Sequence, residues 1–285
     1  MNTKSLQPNP TLAIVAGLAG VLSFTVIPII TMRAMDAILR GVPERVAASG
    51  NPLLASAPKI VIGFFPVWGG LSVAAGMALL LVAWALYRGE SWARPVAIGL
   101  LAIPAITGAY YSGPIMAFAR SKMYFFVIVA LIGLIPYFIL LLSGKGTTSE
   151  KIGRFFLFLM LGVTTAWTFS NGGSSLRMFW ARPEPIYILN PSNLGFLMGF
   201  PVAWIGVATT AISIPILAAN KRLGYLLASA GLLIILMGNL ILFLTHTSVM
   251  EFLIGVIMAV ISLTLLWLPG VGGKMVDKEL LVAVG

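Results

Sequence analysis

The chain has 285 residues, of which 59 % are hydrophobic and 9 % charged, against roughly 45–50 % and about 25 % in soluble domains, and its net charge is +10. A water-soluble globule of this size could not hide so much apolar surface. The absence of cysteine and the single histidine, His246, exclude disulfides, thiolate metal sites, a bis-histidine haem and a three-histidine metal centre.

The fold class implied is an all-α polytopic transmembrane bundle of about 8 spans, each able to cross a hydrocarbon core about 30 Å thick. After Lys4 and the turn Gln7-Pro8-Asn9-Pro10, span one covers about 11–32. It is too long for a signal-peptide core and has no small-x-small cleavage site directly after it, so it reads as a retained helix. The segment 33–47 carries Asp36 and Arg40 four residues apart, a helical ion-pair spacing. It reads either as an interfacial amphipathic helix or as a solvated loop, with Gly41 and Pro43 expected to cut any helix short.

Span two covers about 60–87 and turns at Arg88–Arg94 into span three, about 95–117. The end of span three, Tyr110-Tyr111-Ser112-Gly113-Pro114, is expected to be unwound, and irregular backbone at membrane depth survives only when buried in protein or lining a wet cavity. Span four, about 123–143, precedes the polar break 143–154. Span five covers about 155–170. The stretch 171–193, with Arg177, Trp180, Arg182, Pro183, Glu184, Pro185, Tyr187 and Pro191, reads as a proline-stiffened surface loop with aromatics at headgroup level. Spans six, seven and eight follow at about 194–218, 223–244 and 249–268, and Pro269-Gly270 ends the last.

The sequence divides into two halves, 1–143 and 144–285, each with a long first loop and two short ones. Phe65-Pro66-Val67 with Trp68 is echoed by Phe200-Pro201-Val202 with Trp204. Duplication of a four-span unit would give two repeats in parallel orientation, related by an axis along the membrane normal. Apolar hairpins with basic turns also resemble one another by composition alone.

The lysines and arginines collect at span ends, and no basic block interleaved with aromatics tracks a phosphate backbone, so nucleic acid is not an expected partner. Lys and Arg are in slight excess on the side of the termini and lie there in the shorter segments, which places both termini in the cytoplasm of a cell membrane. The expected partners are membrane lipids, other membrane subunits, or further copies of the chain.

Candidate chemistry is sparse. All the carboxylates fall in loops, at span ends or in the tail, which argues against a proton pump or a voltage sensor. Tyr110, Tyr111 and Ser112 are the candidate contacts for a substrate or lipid at the end of span three. Asn239 is the most polar group near the centre of a span and reads either as such a contact or as an interhelical hydrogen bond. Thr164, Thr165, Thr209, Thr210 and Ser213 read as packing or as back-bonded to their own helices. His246 and Glu251 flank the last loop, where a metal or acid–base pair could be drawn but surface positions are the plainer reading. Gly17 with Gly20, Gly69-Gly70 with Ala74-Ala75, and Ala228 with Gly231 suggest close helix packing. No P-loop, dinucleotide fingerprint, HExxH or nucleophile elbow occurs in a fitting context. The sequence therefore implies no cofactor, no metal and no enzymatic reaction. It favours a structural or accessory membrane subunit, with a carrier or channel for a small or amphiphilic molecule as the alternative.

Overall fold

The computed structural model describes residues 9–143, 146–181, 191–268 and 271–272. Among them no strand occurs, and eight long helices follow in order: α1 (Pro10–Ser49), α2 (Ala57–Tyr87), α3 (Ala93–Phe118), α4 (Tyr124–Leu142), α5 (Thr148–Trp180), α6 (Pro191–Ala218), α7 (Arg222–Thr245) and α8 (Met250–Trp267). Each is long and apolar enough to span a bilayer, so the protein is an integral, multi-pass membrane protein. Helices α2, α3, α4, α6, α7 and α8 start and stop close to the expected boundaries.

Two helices are much longer than expected. α1 runs for 40 residues without a break, so segment 33–47 is neither a separate interfacial helix nor a loop. Ala34, Ile38 and Val42 form a buried stripe at helical spacing, while Asp36 and Arg40 face outward and bond at 2.8 Å. Gly41 does not end the helix because it is needed there: a Cβ would run into the Phe118 carbonyl at the end of α3. Pro43 is exposed, so water can satisfy the Leu39 carbonyl that it leaves without a helical donor.

α5 likewise continues to Trp180, correcting the expectation of a loop from Asn171. Asn171, Gly172, Gly173 and Ser175 looked like loop residues but are buried in the helix, where their size or hydrogen-bonding capacity is used against neighbours. Residues 182–190 of that expected loop and Pro269-Gly270 lie outside the described residues, and the end of the expected loop, from Pro191, belongs to α6 instead. The expected unwinding of span three is corrected too. α3 is helical through Tyr110, Tyr111, Ser112 and Pro114.

The helix ends have identifiable causes. Asn9 accepts a hydrogen bond from the Leu12 amide at 3.1 Å, ahead of Pro10 at the first helical position. Thr147 and Glu150 form a reciprocal capping box at the start of α5. Gly50, with φ 63°, closes α1 in the left-handed region. Arg94 at the start of α3 donates to the Leu140 and Leu141 carbonyls at 2.9 and 3.0 Å, satisfying groups that the end of α4 leaves open.

The first four helices form a ring in which neighbours touch and α1 also meets α4. The last four form a second ring closed by α5 against α8. The rings join through α3 with α5 and α6, and through α2 and α4 with α5.

Lipid supplies no hydrophobic drive between helices, so close backbone approach carries much of the packing. Gly20 and Gly76 face one another where α1 crosses α2. A Cβ on Gly133 in α4 would sit 2.8 Å from the Ala105 Cα, and one on Gly108 in α3 would meet Ala130 2.6 Å from its Cα. α6 and α7 are joined along their whole length by glycines facing backbone: Gly206 against Ile235, Gly231 against Thr210, and Gly238 against Ala203. Gly70, by contrast, is exposed and has nothing within 4 Å of an added Cβ.

Candidate functional site

The polar residues of the interior gather in two main clusters, one within each ring of helices. In the first ring, the Tyr111 hydroxyl donates to the Phe65 carbonyl at 3.1 Å and lies 2.8 Å from the Thr31 hydroxyl, tying α3 to α2 and α1. Its ring stacks on Phe65 with centroids 4.2 Å apart. One turn earlier, Thr107 and Ser72 bond at 2.9 Å between α3 and α2. Ser112 turns away from this cluster and donates to the Ala109 carbonyl of its own helix at 2.6 Å.

Tyr110 differs from its neighbour. It is buried, packs edge-on against Phe169 at 5.0 Å, and its hydroxyl has no partner. Removing a satisfied hydroxyl costs an interhelical bond, and removing an unsatisfied one relieves a desolvated polar atom. Tyr111→Phe is therefore expected to lower stability by about 1 kcal/mol, while Tyr110→Phe leaves it unchanged or raises it. Thermal unfolding of the two variants in one detergent checks the difference in sign.

The second cluster centres on Asn239 of α7, where the interhelical hydrogen bond is the arrangement found. Its side-chain oxygen accepts from Asn171 at 2.6 Å, and its amide donates to Thr168 at 3.1 Å and to the Ile235 carbonyl at 3.0 Å. Asn171 also donates to the Glu251 carbonyl at 3.0 Å, and Trp167 reaches the same oxygen at 2.9 Å. α5, α7 and the start of α8 are thereby fastened together. Gly255 makes room, since a Cβ there would lie 2.8 Å from the Asn171 amide nitrogen. Farther along, Thr164 bonds Ser262 of α8 at 2.8 Å. Thr165, Thr209 and Ser213 bond back to their own helices, and Thr210 is buried without a partner.

Between the clusters lies an aromatic layer on which the two echoed segments converge. Trp68 meets Phe169 edge-on at 5.0 Å, and Trp204 stacks on the same ring at 5.4 Å while donating to the Phe169 carbonyl at 3.2 Å. Gly172 leaves the room that the Trp204 indole occupies. Phe64 joins Trp204 from α2 at 5.2 Å.

The last loop gathers no reactive set. His246 is half-buried, with Nδ1 2.7 Å from the Ser248 hydroxyl. Glu251 engages α5 through its backbone carbonyl, and Arg177 lies within electrostatic reach of its side chain. Among the described residues no three His, Cys, Asp or Glu side chains lie close enough to hold a metal ion.

Tyr111 and Asn239 were visible in the sequence as polar groups at membrane depth, but Thr31, Asn171, Thr168 and Phe169 were not. The one available signal was the echo of the Trp68 and Trp204 segments, which pointed to the layer without naming Phe169 as its centre. Compared with protein-family models, with curated proteins and with solved structures, the chain has no match.

Proposed function

We propose that the chain is a non-catalytic structural or accessory subunit of a membrane complex, seated in the cell membrane with both termini cytoplasmic. One observation carries the reading: the buried polar side chains of the interior are neutral, and most are used to tie helices together. Among the described residues the buried polar groups belong to serine, threonine, asparagine and tyrosine, with no Asp, Glu, Lys, Arg or His. Ion and proton paths through a bilayer are normally marked by ionisable groups facing the bundle interior. Here the same depth is occupied by fasteners.

The alternative is a carrier or channel for a small or amphiphilic molecule, favoured by the aromatic layer in which Trp68 and Trp204, one from each ring, both pack on Phe169. Rocking of one ring against the other would then alternate access. Extraction in mild detergent followed by native electrophoresis tests the first reading. The expected result is migration in a defined assembly larger than the 30.3 kDa chain in its micelle. Solute flux into liposomes containing this chain alone would overturn it in favour of the carrier.

A further inference from the structure

α3 and α5 each carry an arginine at the same end of the bundle, Arg94 in the first turn of α3 and Arg154 in the second turn of α5. Arg94 is half-buried and held by its bonds to the Leu140 and Leu141 carbonyls of α4, which use only part of its donor set. Arg154, also half-buried, lies within electrostatic reach of it, and Lys151 stands one turn before Arg154. Among the described residues no carboxylate lies within ion-pair distance of either arginine. Glu90 accepts from the Trp92 indole at 2.6 Å, Glu150 from the Thr147 amide at 3.1 Å, and the one ion pair is Arg40–Asp36 on α1. Like charges held together repel, and a planar guanidinium matches a phosphate through parallel hydrogen bonds. Both arginines sit at span ends, at the depth of lipid headgroups.

The apolar surface farther in continues the match. Ala102 lies two turns beyond Arg94 on one face of α3, and Phe158 and Gly162 follow Arg154 at four-residue spacing on α5. Those three line a cavity of about 80 Å³ between α3, α4 and α5. At 1.5 Å per residue it lies roughly 6–12 Å inward of the arginines. Leu134, Leu159 and Val163 on its rim are half-buried, so the slot opens sideways to lipid. A space this narrow takes a few methylene groups of a chain lying along it, and not a ring. In a phospholipid, the phosphate and the upper methylenes of an acyl chain are separated by a similar length.

We propose that this end of the bundle holds one anionic glycerophospholipid, its phosphate on Arg94 and Arg154 and one acyl chain laid in the slot between α4 and α5. The lipid lies along the seam of the two rings, since α3 and α4 belong to one and α5 to the other. The inference does not rest on the subunit reading, because a lipid in the seam suits a fixed assembly and a rocking carrier alike.

Native mass spectrometry of the full chain, stripped of lipid in mild detergent, tests this with palmitoyl-oleoyl phosphatidylglycerol as the probe. One lipid should bind saturably, about tenfold more tightly than palmitoyl-oleoyl phosphatidylcholine, whose choline cancels the charge. Arg154→Gln should weaken binding about tenfold, the loss of a charge-assisted hydrogen bond. Arg222→Gln removes the same charge from another exposed turn and should change nothing. Arg94 is spared because it also fastens α4. Gly162→Leu fills the slot from a position where an added Cβ meets nothing within 4 Å. It should weaken the long-chain lipid and spare dihexanoyl phosphatidylglycerol, whose chains end short of the slot. Both site variants should keep the helical circular dichroism of the wild type. Absence of saturation, equal effects of Arg154→Gln and Arg222→Gln, or unchanged long-chain affinity in Gly162→Leu would overturn the proposal. Displacement of the lipid by inorganic phosphate or glycerol 3-phosphate would overturn it in favour of a soluble phosphate compound.

Discussion

Gly206→Leu should be strongly destabilising, lowering stability by about 3 kcal/mol. A Cβ at this position lies 2.7 Å from the Ile235 amide nitrogen and 3.0 Å from the Gly231 carbonyl oxygen, both backbone atoms that cannot rotate away. Accommodating it means parting α6 from α7, and the contacts at Gly231–Thr210 and Gly238–Ala203 share the same approach and open with it. Helix propensity works in the opposite direction, since leucine favours a helix over glycine by about 1 kcal/mol. Any destabilisation is thus a packing effect. Gly70→Leu is the matched control, because the same change made into open space should leave stability unchanged or raise it by up to about 1 kcal/mol. Unfolding both variants with sodium dodecyl sulfate in mixed micelles, followed by circular dichroism, gives the comparison. Equal effects at the two glycines would mean that close approach does not hold α6 to α7.

Asn239→Ala is expected to cost about 2–3 kcal/mol, from two interhelical hydrogen bonds worth about 0.6–1.7 kcal/mol each together with the space left behind. Asn171→Ala should cost nearly as much, because Asn171 would lose its bonds to both Asn239 and the Glu251 carbonyl. The two changes should not add. A double-mutant cycle on unfolding free energy should return a coupling of about 1 kcal/mol, since either substitution removes the shared bond. This measurement also bears on function. A residue retained for ligand contact would change binding with little effect on stability, and the pair would then be additive.

The spans could be read because a charge-free apolar run of about twenty residues is a property of the local sequence. The ends of α1 and α5 could not, because a helix does not stop where its apolar run stops. α1 passes Arg33 because Ala34, Ile38 and Val42 continue to bury one face, a stripe of three residues at four-residue spacing interrupted by charges. α5 passes Asn171 because a polar, glycine-rich stretch becomes favourable as helix when Asn239, Trp204 and Phe196 wait opposite. The same limit applies to the interior polar groups. Tyr111 and Thr31 are 80 positions apart, and Asn171 and Asn239 are 68 apart, so no local period connects them. Gly76, Gly108, Gly133 and Gly206 carry no mark that separates them from the unconstrained Gly70. A glycine's use is set by what faces it.

α8 has 18 residues, about 27 Å of helix at 1.5 Å per residue, whereas α1 at 40 residues reaches about 60 Å. Both belong to one bundle, so the shorter governs how much hydrocarbon the structure accepts. α8 is bounded by extended backbone at Val249 and Leu268 and cannot gain length without reorganising those turns. A thick, sterol-like bilayer would have to dimple around α8, and a thin one would meet it without deformation. The molecule thus carries its own gauge of membrane thickness, and it should partition toward the thinner of two coexisting lipid phases.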